Sequence, residues 1–166
     1  MKKSAFATLF SILFLTVCSQ QSESNKNIVI KLYEEFNARD FSRFYAHFGD
    51  SVWVHVSNHV NFLTNAEGIR SAIDPQLKAF PGMMDTISLA IAEKDWVSIC
   101  VRHVGFNSDS LWGLPPAKKM INYNVMEMYR LKENKIVEVY VVGDEMGMYR
   151  QMGIIPLKLT ELVMKN

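Results

Sequence analysis

Cysteine is almost missing from this chain of 166 residues, with Cys18 and Cys100 the only two. Cys18 falls in an N-terminal leader and Cys100 inside an apolar strand, which excludes a disulfide framework for the domain that follows. Zinc-ligand spacing, a glycine-rich phosphate loop, a serine elbow, heptads and internal repeats are also lacking, so no metal and no cofactor is expected. Charge of one sign is missing too. A formal net charge of +1 carries no electrostatic footprint for nucleic acid or for an acidic partner. The longest apolar run, Ala5 to Val17, is broken by Thr8, Ser11 and Thr16. It falls short of the roughly 20 residues that a bilayer-spanning helix needs.

What is present begins with a short basic stretch, Met1-Lys2-Lys3, ahead of that apolar run, and residues 1–17 read as an export signal. Leu15-Thr16-Val17-Cys18 resembles the lipobox of bacterial lipoproteins, with Val17 where a small residue is usual. The resemblance implies lipidation at Cys18 and an exported protein held to the membrane by its lipid alone, with Ser19 similar to the outer-membrane sorting class. The other reading is an ordinary signal peptide whose apolar region ends in Cys. Residues 18–26 read as a polar tether, 27–153 as one domain with a real core, and 154–166 as a tail with a short helix over 157–164.

Within the domain, helical spacing predicts a first helix over 27–39 with Ile28, Val29, Leu32, Tyr33 and Phe36 on one stripe. A second is predicted over 41–48 with Phe41, Phe44, Tyr45 and Phe48 aligned and His47 solvated, and a third over 65–81, interrupted near Pro75. Strands are expected over 51–57, 85–93, 96–106, 119–131 and 136–144. Helices first and strands later indicate an α+β fold, with a curved antiparallel sheet wrapped against N-terminal helices into a cone.

Four places carry chemistry. The last strand sets Ile136, Glu138, Tyr140, Val142 and Asp144 on one face, ending on a carboxylate beside an aromatic ring. Asp144 there has two readings, a proton-transfer acid or the cap of the helix over 146–152. Trp53 and His55 share a face of the first strand, suited to the wall of a polar-tipped pocket or to a half-exposed outer surface, with His59 a weaker candidate beyond it. His103 ends an apolar stripe of Val97, Ile99 and Val101 and reads either as a satisfied core histidine or as a pocket residue. On the long strand both faces mix apolar and polar residues, so Glu127 could face inward or outward. Leu111-Trp112-Gly113-Leu114 is an apolar loop fit for a lid or a subunit contact.

Ile136, Glu138, Tyr140, Asp144, Gln151 and Gly153, with His103-Val104-Gly105 and Ala79-Phe80-Pro81, resemble the SnoaL-like polyketide cyclases of the nuclear transport factor 2-like superfamily. The resemblance covers roughly 27–153. It implies the cone-shaped cystatin-like α+β barrel, a homodimer formed through the open sheet face, and a catalytic acid/base at Asp144. His55 and His103 would then bond an enolate or carbonyl oxygen, with Trp53, Tyr140, Trp112 and Glu127 lining a pocket for a small hydrophobic molecule. The expected function is proton transfer on a carbonyl-bearing substrate, of cyclase or isomerase type. A non-catalytic binding module of the same fold and an epoxide or ester hydrolase are the alternatives.

Overall fold

Alternation of apolar and polar residues through the second half of the chain builds the sheet, and helical stripes in the first half supply its cover. The computed structural model describes residues 3–56 and 60–155, with side chains from residue 20 onward. Its elements are α1 (Lys3–Asn37), α2 (Phe41–Ala46), β1 (Phe48–Val56), β2 (Asn61–Thr64), α3 (Ala66–Ala79), β3 (Met84–Glu93), β4 (Trp96–Phe106), β5 (Met120–Lys132), β6 (Lys135–Gly143) and α4 (Glu145–Met152). They form the α+β architecture expected, with a six-stranded sheet in the order β2-β1-β6-β5-β4-β3. Neighbouring strands are antiparallel except for β1 and β6, which run parallel. Register shifts between Phe48 and Trp53, Ile87 and Leu89, and Arg130 and Leu131 bend the strands, as bulges do.

One face of the sheet is covered and forms the core. It carries Val52 and Val54 of β1, Val97, Ile99 and Val101 of β4, Ile121, Tyr123, Val125, Glu127 and Tyr129 of β5, and Val139 of β6. Against it lie Val29, Leu32, Tyr33 and Phe36 of α1, one turn apart along a single stripe. Phe36, Phe44 and Phe48 lock α1, α2 and the start of β1 together, with ring centroids 5.5 and 5.6 Å apart.

Several boundaries differ from expectation. α1 runs back from Asn27 through the segment read as a tether, where Asn25 is buried and its side-chain amide donates to the Lys94 carbonyl at 3.0 Å. α2 stops at Ala46 because Phe48 enters the sheet beside Ile136. His47 is not solvated, since its Nε2 pairs with the buried Glu35 at 2.7 Å. Pro75 interrupts nothing: α3 passes through it with Pro75 on the exposed side. The bulge in β6 also puts Ile136 in the core, on the face opposite Glu138 and Tyr140. His59 and the tail over 157–164 lie outside the described residues. Among the described residues no helix is long and apolar enough to cross a membrane.

Candidate functional site

The covered sheet face holds most of the buried ionisable groups, in two neighbouring clusters. The first begins at the start of β3, where Asp85 stands opposite His103 of β4, and His103 stands opposite Tyr123 of β5. Asp85 Oδ1 and His103 Nδ1 are 2.6 Å apart, both residues buried. An ionised carboxylate can only accept, so Nδ1 carries the proton, and whenever the ring is neutral its lone pair lies on Nε2. The imidazole packs on the Tyr123 ring at 5.0 Å, and Gln76 of α3 donates to the Tyr123 hydroxyl at 2.6 Å. Burial, then the charge of Asp85, raises the Tyr123 phenol well above its ordinary range, so it stays protonated. Gly105 shapes this corner. A Cβ there would come within 3.2 Å of the Met83 backbone, so the glycine lets the loop after α3 close beside His103.

In the second cluster, Tyr33 of α1 and Tyr129 of β5 both donate to Glu127 Oε2, with their hydroxyls 3.1 Å apart. Glu127 and Tyr129 are two residues apart on β5 and so share its inner face, while Tyr33 reaches down from the helix. Burial raises the Glu127 carboxyl above the usual range, against the lowering pull of both phenols and of His103. The same burial, reinforced by the Glu127 charge, raises both phenols well above theirs and keeps them as donors. His103 and Asp85 each act on the ionisation of Glu127, so the two clusters form one electrostatic unit.

The site residues expected from the sequence separate into three places. His103 and Glu127 belong to this inner face. Trp53, His55 and Tyr140 lie on the other side of the sheet. His55 is stacked on Tyr140 at 4.0 Å, its Nδ1 is 2.9 Å from Asn61 Oδ1, and its Nε2 is 3.0 Å from Glu138 Oε1. Glu138 is further paired with Arg130 at 2.8 Å, so both histidine nitrogens and both carboxylate oxygens there are occupied. Asp144 is exposed at the N-terminus of α4, its Oδ1 accepting from the Gly147 amide at 2.9 Å. The two imidazoles and the strand-end acid therefore do not converge in one hollow. Trp112 is exposed at the tip of a tight turn (φ +50°), and Leu111, fully buried, anchors that loop instead. Cys18 lies within α1, and its side chain is outside the described set.

Sequence reasoning missed Tyr33, Gln76, Asp85, Tyr123 and Tyr129 as site members. Tyr33 was legible as part of a core stripe but not as a donor, and Asp85 meets His103 only through strand register. Tyr123, Glu127 and Tyr129 do share one parity on β5, the one signal that could have grouped them. Among the described residues no three His, Cys, Asp or Glu side chains are arranged to hold a metal.

Residues 27–152 match the family model described as SnoaL-like polyketide cyclase. The chain belongs to that family. Solved structures agree with this SnoaL-like fold. AclR of Streptomyces galilaeus, provisionally assigned as a hydroxylase, superposes with a TM-score of 0.73 at 18% identity, covering 81% of this chain and 99% of its own. IdmH of Streptomyces antibioticus, provisionally assigned as a polyketide cyclase, has a TM-score of 0.68 at 22% identity, with 78% and 98% covered. A SnoaL-like polyketide cyclase of Agrobacterium tumefaciens has a TM-score of 0.65 at 15% identity, with 78% and 98% covered. No curated protein matches this SnoaL-like chain by sequence.

Proposed function

We propose that this chain is a cofactor-independent acid–base enzyme acting on a small apolar, carbonyl-bearing molecule held against the inner sheet face. The observation that carries this reading is the buried Asp85–His103 pair, which directs the basic Nε2 away from Asp85. In the proposed step Nε2 takes a proton from the carbon α to the carbonyl, and the imidazolium that forms is stabilised by Asp85. The enolate oxygen is held by Tyr123, whose hydroxyl accepts from Gln76 and keeps its own proton to donate. Return of the proton at another carbon completes an isomerisation. Attack of the enolate carbon on a second carbonyl of the same molecule completes a cyclisation. The test is deuterium exchange α to the carbonyl in a panel of apolar ketones and diketones, in wild type and in His103→Asn. The binding-module alternative draws on one observation: Tyr33, Tyr129 and Glu127 satisfy one another, as a purely structural polar core also would.

Two further parts of this proposal concern context. The uncovered sheet face exposes Leu89, Ile91, Met126 and Val142, each more than half accessible, and Cys100 is half-buried among them. Monomers rarely show so continuous an apolar surface. We place a second copy of this chain there. Met126→Glu is expected to convert a dimer to a monomer in sedimentation, and a wild-type monomer at micromolar concentration would reject the pairing. The leader supports export with a lipid on Cys18. Mass spectrometry of the membrane fraction is expected to find an acylated Cys18 at the N-terminus. An intact or differently cleaved leader would reject that assignment.

A further inference from the structure

We infer that Asn37 is a positioning residue for the Asp85–His103 pair, an inference that rests on the acid–base reading of His103. Among the described residues β3 is the outer strand of the sheet, with β4 on one side and no strand on the other. At Asp85 the missing neighbour is replaced by a side chain. The Asn37 amide donates to the Asp85 carbonyl at 2.7 Å, and its oxygen accepts from the Asp85 N–H at 2.8 Å.

Both backbone groups of Asp85 therefore point away from β4, which makes Asp85 and His103 a non-hydrogen-bonded cross-strand pair. That pairing brings opposed side chains closest, with Cα atoms about 4.5 Å apart. Asn37, the last residue of α1, thus fixes the strand phase that sets the Asp85 carboxylate on Nδ1. The proton stays on Nδ1 and the lone pair on Nε2. Nearby, Arg39 Nη2 donates to the carbonyls of Met83, at 2.6 Å, and Pro81, at 3.2 Å. It ties the same helix end to the loop before β3 without touching Asp85.

The experiment is nitrogen NMR of histidine-labelled full-length protein at a pH where the ring is neutral. Wild type is expected to show His103 as the Nδ1–H tautomer. Asn37→Ala is expected to lower the ratio of Nδ1–H to Nε2–H about fivefold, the worth of one hydrogen bond. Asn37→Asp, of the same size but with an oxygen against the Asp85 carbonyl, moves it the same way and serves if the alanine variant does not fold. Arg39→Lys is expected to leave it unchanged. An unaltered tautomer ratio in both Asn37 variants, or an equal shift in Arg39→Lys, would overturn the positioning role. A tautomer that shifts as stated, with deuterium exchange indifferent to His103→Asn, would instead reject the acid–base reading and leave the positioning intact.

Discussion

Exchange of His103 for Asn is expected to slow α-deuterium exchange by about 10²- to 10⁴-fold, the usual worth of a positioned general base. Asn is the informative replacement because its amide nitrogen can occupy the place of Nδ1 and keep a donor on Asp85, whose carboxylate is nearly inaccessible. The second basic nitrogen disappears, and the buried acid is not stranded. Asp85→Asn is expected to be as damaging for a different reason. An amide nitrogen facing Nδ1 would draw the lone pair there and move the proton to Nε2, leaving no base toward substrate. Asp144→Asn is the control. Asn caps a helix as well as Asp does, so α4 and the rate should both stay within about twofold of wild type. If Asp144→Asn were as slow as His103→Asn, the acid–base role would return to the end of β6.

Removal of the Glu127 carboxyl by Ala is expected to cost about 3 kcal/mol of stability. The Tyr33 and Tyr129 hydroxyls would keep each other but lose their shared acceptor, and a void would open beneath α1. Glu127→Gln keeps an acceptor in the same place and separates packing from ionisation. Burial raises the Glu127 carboxyl in the folded chain above its value of 4.5 in the open chain. A raised carboxyl means that the folded state holds the proton more tightly. Its contribution is complete below that value and is lost as pH rises through the folded pKa. Calorimetric melting at about pH 4 and about pH 8 should therefore show the Gln variant gaining on wild type at the higher pH. A gap of the same size at both would mean that Glu127 gives up its proton equally easily in the folded and unfolded chain.

The two results together bear on how the site is divided. His103 has one nitrogen committed to Asp85 and one available, the arrangement of a working base. Glu127 accepts from both phenols and uses up their protons, an arrangement suited to holding α1 on the sheet rather than to moving protons from carbon. Loss of exchange in His103→Asn with a large stability loss in Glu127→Ala would fit that division. The reverse pattern would not.

Local information was enough for much of this protein. Period-two alternation located the long strands to within a residue or two, including Trp96–Phe106, and helical spacing picked out Val29, Leu32, Tyr33 and Phe36 as a buried stripe. The order of motifs from Ala79-Phe80-Pro81 to Gly153 was specific enough to point to the family. Which face of each strand looks inward is another matter, because it depends on register, and register depends on partners distant in sequence. Asp85 meets His103 and His55 meets Glu138 across 83 residues only once the strands are paired, and Tyr33 meets Glu127 across 94 only once α1 packs on the sheet. A bulge in β6 and a parallel β1–β6 pair put His55 and Tyr140 outside, while a β5 strand ambiguous by parity put Glu127 inside. Periodicity thus determined what each segment is. Strand pairing and the packing of α1 on the sheet decided which ionisable groups lose water together, and burial in company is what gives a carboxyl or an imidazole its chemistry.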